Sequence, residues 1–346
     1  MTLRNKTRVV KVGNKYLGGN NPILVQSMCN TKTKDVKSTV SQILKLEEYG
    51  CDIIRVAVLD MEDAKSIGEI KKGIHIPLVA DIHFQPELAI ESIKQGVDAV
   101  RLNPGNITNK TKIKEIVELC KERQIPIRIG VNGGSLPRGM ELNADNMILA
   151  AKSHIDILEE LDFHDIVLSI KASNIKLAKE AYIKASNTFN YPLHVGITEA
   201  GTGFKGLITS SIGLSEILGL GIGNTIRVSL TDDPINEVKA ARVILNELGL
   251  KDMPILTSCP TCGRTQVNLI PIAKEIEDYL YKVDKKIHVA VMGCVVNGPG
   301  EAREADIGVA GGIGEGLIFS HGKPVKKIKE KDIIDELKKA IDEYEG

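Results

Sequence analysis

The strongest constraint on the fold is an eightfold alternation. Between about residue 20 and residue 250, eight short apolar runs each give way to a polar or Gly-rich loop and then to a stretch of helical period. The runs are Ile23–Val25, Ile53–Val58, Leu78–Ala80, Ala99–Leu102, Ile125–Ile129, Ile166–Ile170, Leu193–Ile197 and Thr225–Leu230. Short, continuous runs rich in Ile and Val suit strands covered on both faces. Between the first two, Val36, Val40, Ile43, Leu44 and Leu46 fall mainly on one face of a helix. Asp233-Pro234 reads as N-cap and first residue of the last helix. Eight β-then-α units in roughly 230 residues match the length of a (β/α)8 TIM barrel. A doubly wound open sheet is the alternative.

In a barrel, functional side chains belong at the C-terminal ends of the strands. Arg55, Asp81 and His83, Arg101 and Asn103, Arg128 and Asn132, Lys171, His194 and Glu199, and Arg227 all lie just inside or after the strand ends. Arg55, Arg101, Arg128, Lys171 and Arg227 would bring five cations from five strands to one mouth. Any one of them alone reads equally well as a salt-bridged structural residue. Five together, unpaired and buried, are costly without an anion, and the guanidinium fork matches phosphate oxygens. A phosphorylated or diphosphate ligand is the expected partner.

The pattern changes near Leu250–Pro254, which divides the chain into a substrate-binding barrel, 1–252, and a small α+β domain, 253–346. The tail reads as strand (254–257), helix (about 266–281), strand (287–291), a Gly-rich strand region (306–319) and a charged helix (331–344). Cys259-Pro-Thr-Cys262 follows the first of these strands, and Cys294 follows the second. Glu301 lies seven residues beyond Cys294, past the turn-forming Asn297-Gly298 and Pro299-Gly300. Three soft ligands favour an iron–sulfur cluster or zinc. A carboxylate as fourth ligand is more labile than a thiolate and open to displacement by a substrate oxygen. A redox dithiol does not need the third Cys, and structural zinc usually takes four Cys or His ligands. Cys29, Cys51 and Cys120 read as small core residues. Gly311–Gly316 lacks the strand-turn-helix setting of a phosphate loop and reads as turn chemistry.

Composition narrows the function classes. Formal net charge is +0 and pI about 7.0, so no overall positive field draws the chain to nucleic acid or an anionic membrane. Aromatics are 3% with no Trp, which disfavours base-stacking modules. No apolar run reaches the roughly 20 residues of a membrane span, and Met1-Thr-Leu-Arg-Asn-Lys lacks the apolar core of a signal peptide. Six cysteines in 346 residues are too sparse for a disulfide framework, so a cytoplasmic location is expected.

Taken together, these stretches resemble the 4-hydroxy-3-methylbut-2-enyl diphosphate synthase family of the methylerythritol phosphate route to isoprenoids. The likeness is carried by Gln26-Ser-Met28, Ala80-Asp-Ile-His-Phe84, Arg101-Leu-Asn-Pro-Gly-Asn106, Arg128-Ile-Gly-Val-Asn132 and Ser169-Ile-Lys-Ala-Ser173. It continues in Gly196–Gly201, Thr225–Thr231, Ser258–Arg264 and Val291–Asp306, over nearly the whole chain. Cys29 departs from the Thr common in the family, and Gln85-Pro86 is less typical. The resemblance implies the compact two-domain bacterial form and a [4Fe-4S] cluster held by Cys259, Cys262, Cys294 and Glu301. It implies reductive ring opening of 2-C-methyl-D-erythritol 2,4-cyclodiphosphate to (E)-4-hydroxy-3-methylbut-2-enyl diphosphate, with flavodoxin or ferredoxin as electron donor. Ser229, Ser258 and Asn297 join the strand-end residues as substrate-binding residues on the same ground. Glu199 is expected to donate the proton for the hydroxyl lost as water, or else to stand as a fixed anion beside Lys171 or an Arg. A homodimer is expected, with one subunit's cluster domain completing the other's barrel. A zinc-stabilised barrel acting on a phosphorylated sugar or pterin, and an iron–sulfur carrier or sensor without catalysis, are the competing readings. The carrier gives no reason for the ring of cations.

Overall fold

A computed structural model describes residues 2–137, 139–294 and 304–345. It divides into two compact units, Met1–Lys251 and Asp252–Gly346. The first opens with an antiparallel hairpin, β1 (Val10–Val12) and β2 (Lys15–Leu17), turning at Gly13, whose φ is +57°. Among the described residues, eight parallel strands follow. They are β3 (Leu24–Met28), β4 (Ile53–Ala57), β5 (Leu78–Asp81), β6 (Ala99–Arg101), β7 (Ile127–Asn132), β8 (Ile166–Lys171), β9 (His194–Val195) and β10 (Thr225–Ile226). Their order is β8-β7-β6-β5-β4-β3-β10-β9, and a parallel bridge from Leu168 to Leu193 joins the two ends into a barrel.

Helices α1 (Val36–Glu48), α2 (Met61–Lys72), α3 (Pro86–Lys94), α4 (Lys110–Arg123), α5 (Ala144–Glu159), α6 (Ile175–Thr188), α7 (Gly203–Leu218) and α8 (Pro234–Glu247) connect the strands. Six of them start where a side chain can take an otherwise unbonded N–H: Asp35, Asp60, Asn109, Asn143, Asn174 and Asp233 each accept a first-turn bond. Each such cap contributes about 1 kcal/mol and fixes the length of the loop before it. Those loops carry the strand-end residues. In α1 the buried face is Thr39, Ile43 and Leu46, whereas Leu44 turns outward and is 39% exposed.

β9 and β10 are shorter than the apolar runs predict. Arg227 N–H still donates to Val195 O at 3.0 Å, beyond which regular pairing lapses until an isolated bridge between Thr202 and Thr231. The initial hairpin is absent from the sequence reading. It packs Val10, Val12 and Leu17 against Leu24, Ile53, Val79, Ala99 and Val167, closing the strand-start end of the barrel. Among the described residues, no helix is long and apolar enough to cross a membrane.

The second unit is built on the sheet β11 (Ile255–Ser258), β12 (His288–Met292), β13 (Ile307–Gly312), β14 (Glu315–Ser320) and β15 (Lys323–Lys329), hydrogen-bonded in that order. The first three strands are parallel and the last two antiparallel. Helices α9 (Leu269–Leu280) and α10 (Ile333–Glu343) cover one face through Ile272, Ile276, Ile333, Leu337 and Ile341. α9 starts later than its apolar pattern suggests, because Gln266 N–H is bound to Gly293 O and Asn268 N–H to Glu330. Gly311–Gly316 forms the end of β13, the hairpin turn and the start of β14, with Gly314 at φ +68°. β15 is a further strand that the sequence pattern did not single out.

Leu17 is 3% exposed within the hairpin plug. Replacing it by Ala should destabilise the barrel by roughly 2–5 kcal/mol, read as a lower urea midpoint for the barrel transition.

Candidate active site

The strand ends of the barrel enclose a cavity of about 230 Å³. Arg55, Asp81, His83, Arg101, Arg128, Asn132, Lys171, Arg227 and Ser229 line it, as do Gly130, Ser169 and Thr198. All five expected cations therefore meet. They are not all unpaired, however, and this corrects the sequence reading. Asp81 is shared by Arg55, at 3.5 Å, and Arg101, at 3.3 Å. Glu237 binds Arg227 through two bonds of 3.2 Å. Arg128 donates to the Gln26 side-chain oxygen. The Lys171 ammonium has no hydrogen bond or ion pair among the described residues, and Lys171 lines the cavity. The Met28 sulfur accepts from Arg55 at 3.0 and 3.1 Å.

Two glycines make room for this ring. A Cβ at Gly130 would lie 2.9 Å from Arg101 Nε, and one at Gly196 would lie 2.9 Å from Lys171 Nζ and 2.7 Å from Arg227 O.

Three strand-end residues sit elsewhere than expected. Asn103 does not line the cavity. It exchanges two 2.9 Å bonds with the backbone of Gly130 and fastens the end of β6 to β7. His194 begins β9 rather than ending it, so its ring lies below the mouth, fully buried. Its Nδ1 is 3.4 Å from Thr225 Oγ1, and its Nε2 has no partner among the described residues. Glu199 is exposed, outside the lining, and holds a φ of +55°. It is neither buried nor paired with Lys171. A non-glycine residue in this left-handed region is uncommon and marks a loop shaped by its surroundings.

In the second unit, Ser258 pairs in register with Val291, so Cys259 and Cys294 follow at the same end of two neighbouring parallel strands. Gly293 N–H donates to Cys259 Sγ at 3.2 Å, and Gln266 N–H donates to Gly293 O at 2.8 Å. Cys294 is buried and Cys262 exposed, and Ser258 is exposed. Asn297 and Glu301 lie outside the described residues. Among the described residues, no three Cys, His, Asp or Glu side chains are gathered as a metal site. The donor chemistry nonetheless suits an iron–sulfur group: soft sulfurs on adjoining loops, one already receiving a main-chain N–H bond of the kind that tunes such clusters. The competing uses fit less well. The Cys259–Cys262 turn does not open a helix, since α9 begins at Leu269. Both ring nitrogens of His288 are engaged, with Thr257 at 2.8 Å and Glu304 O at 3.1 Å.

The family model described as GcpE TIM-barrel domain matches residues 7–242, and that described as GcpE protein C-terminal domain matches 255–343. The chain belongs to the GcpE family. It is 58% identical over 345 residues to 4-hydroxy-3-methylbut-2-en-1-yl diphosphate synthase (flavodoxin) of Geobacillus kaustophilus, covering 98% of this chain and 92% of that one. It is 56% identical over 348 residues to the protein of the same name in Bacillus mycoides, covering 99% and 95%. Among solved structures, dihydropteroate synthase from Stenotrophomonas maltophilia aligns with a TM-score of 0.53 at 10% identity, over 69% of this chain and 98% of that one. That likeness is one of barrel fold alone.

Crowded cations in this GcpE barrel disturb one another's protonation. Burial pushes Lys171 well below its usual pKa, and Arg227, Arg55 and Arg128 push it further. Arg128 is lowered in the same way, by burial and then by Arg55. Burial alone would raise Asp81, but Arg55, Arg101 and Arg128 outweigh it and hold the carboxyl below its usual value. His83 and His194 are both lowered, by burial first, then by Arg101 and Lys171 respectively. Away from the site, burial raises the Cys29 and Cys120 thiols to about 12, and raises Cys51 as well, in keeping with three core cysteines.

Sequence reasoning assigned none of Glu237, Gln26 and Met28 to the site, although Gln26-Ser-Met28 is among the stretches that carry the family likeness; each bonds an arginine of the cavity without itself lining it. A bound anion must favour protonated Lys171, so binding should take up a proton where free Lys171 is partly neutral. Affinity then falls as pH rises through that window. Sulfate, which does not titrate there, is the probe. Calorimetry in buffers of different ionisation heat should show proton uptake at pH values below the ordinary lysine range, and Lys171→Met should remove it.

Proposed function

We infer that this GcpE protein converts 2-C-methyl-D-erythritol 2,4-cyclodiphosphate into (E)-4-hydroxy-3-methylbut-2-enyl diphosphate, an oxidoreductase step in isoprenoid precursor synthesis with flavodoxin as electron donor. The observation that carries this is the cavity itself, where five cations meet one carboxylate, Asp81, in the lining and are backed by a second, Glu237, outside it. Such a surplus suits a substrate with two linked phosphates. Arg55, Arg101, Arg128, Lys171 and Arg227 hold the diphosphate and stabilise the charge that develops on its departing oxygen. Asn132 and Ser229, from the same lining, orient the carbon skeleton. Neutral His83 adds a hydrogen-bonding edge beside Arg101, 3.1 Å away.

Cys259, Cys262, Cys294 and Glu301 are the residues that would hold a [4Fe-4S] cluster, and when bound it supplies single electrons that no side chain can supply. Ser258, the last residue of β11, and Asn297 complete the substrate contacts. Glu199 follows the lining residue Thr198 and is the proton donor for the hydroxyl lost as water. That role asks its loop to be covered in the reacting complex. Glu199→Gln should lower kcat at least about 100-fold, and retained turnover would remove the residue from the mechanism.

The working unit is a homodimer in which the cluster domain of one chain completes the barrel of the other. A short join supports this: the barrel unit ends at Lys251 and β11 begins at Ile255. Six free thiols suit a reducing cytoplasm, where we place the protein.

Two measurements test the reading. Protein purified without oxygen should be brown, carry about four irons per chain, and turn over the cyclodiphosphate with reduced flavodoxin. A colourless zinc protein, even after anaerobic reconstitution, overturns it. For the dimer, inactive Arg101→Met mixed with inactive Cys262→Ser should regain activity. Confirmed exchange without rescue rejects a site shared between subunits.

A further inference from the structure

Glu237 lies behind the cavity wall, in the first turn of α8, and is 3% exposed. Both of its oxygens are used. Oε2 accepts from Ser27 Oγ at 3.1 Å and from Arg227 Nε at 3.2 Å. Oε1 accepts from Arg227 Nη2 at 3.2 Å and from the Leu230 N–H at 3.0 Å. One carboxylate thus ties together β3, the end of the last barrel strand, the loop after it, and α8.

This grip has a direction. The guanidinium is planar, and Glu237 takes the Nε–H and the neighbouring Nη2–H along one side. What remains is Nη1 and the outer N–H of Nη2. Nη1 donates one N–H to the Met28 sulfur at 3.6 Å and keeps the other. Arg227 lines the cavity whereas Glu237 does not. The contact with Leu230 also braces the loop carrying Ser229, a second lining residue. We propose that Glu237 is a positioning residue: it turns the free edge of Arg227 into the cavity and so fixes where one phosphate of the substrate is seated. This rests on the cavity being the diphosphate site.

The contrast with Asp81 sharpens the assignment. Asp81 lines the cavity and divides itself between two arginines at 3.3 and 3.5 Å, within reach of an arriving anion. Glu237 meets no ligand and spends two bonds on one arginine. Arg227 needs such a partner because it lies one residue past the last paired position of β10. Beyond that point the strand ladder no longer dictates where a long side chain points.

Glu237→Gln keeps the size of the side chain but presents an amide in place of an anion to Arg227. With holoenzyme, the Kd for the cyclodiphosphate should rise about 10-fold or more and KM with it, while the cluster absorption stays unchanged. Ser27→Ala removes a bond of Glu237 that does not involve Arg227. It should lower Tm but leave Kd within about two-fold. In an Arg227→Met background, Glu237→Gln should add less than about two-fold, because paired residues do not add. A Kd for Glu237→Gln within about two-fold of the parent overturns the proposal, as does an equal loss in both backgrounds. If Glu237→Gln does not fold, Glu237→Asp decides: it keeps the charge and shortens the reach, and an unchanged Kd overturns the proposal. Arg101→Met separates the two readings. If it weakens binding while the Glu237 variants do not, only the positioning role falls; if it too has no effect, the cavity is not the diphosphate site.

Discussion

Everything at the barrel mouth follows from the cost of placing five cations around one small cavity. Like charges at this spacing in a partly dry site repel, and burial strips them of water. The protein answers in four ways. It inserts Asp81 between two arginines, sets Glu237 behind a third, and lets Lys171 hold its proton weakly. The first two devices shape the cavity, and the third leaves it adjustable. Arg128 takes a fourth course, a neutral partner in Gln26, so its charge stays available.

The strand frame was legible because β-branched runs bounded by polar loops leave few other arrangements, and eight of them in 230 residues leave fewer. The cavity was legible in part for the same reason: Arg101 and Lys171 end their strands and Arg227 follows its own, so position alone places them, whereas Arg55, third in β4, and Arg128, second in β7, line the cavity from inside their strands. His194 and Asn103 show where that logic stops. His194 falls inside an apolar run that reads as five residues, but only two of these form strand, and the histidine is the first of them. Asn103 lies just past a strand end like its neighbours, but an amide can imitate a strand edge, and the nearest edge was Gly130. Position narrows the candidates, while hydrogen-bonding partners decide among them.

Glu237 was illegible for a different reason. Acidic residues are common in the first turn of a helix, where the macrodipole favours them, so nothing in Pro234–Glu237 separates a site carboxylate from an ordinary one. The hairpin at residues 10–17 did carry a signal, Gly13-Asn14 between short alternating runs, but its strands are only three residues each. In the tail, the two Cys loops could be brought together because parallel neighbours end at one edge of a sheet. The exposure of Cys262 could not be read, since the Cys262 N–H donates to Thr265 Oγ1 at 3.2 Å and Gln266 ties the loop to Gly293.

The surplus of positive charge has a consequence for the resting protein. A cell is full of small inorganic anions, and a pocket of guanidinium and ammonium groups will not wait empty among them. On the proposed reading of the cavity, the substrate competes there with phosphate and sulfate. The chelate advantage of two linked phosphates over single ones is what lets it win. Apparent affinity becomes a property of the surrounding medium as much as of the chain, lowest where free phosphate is plentiful.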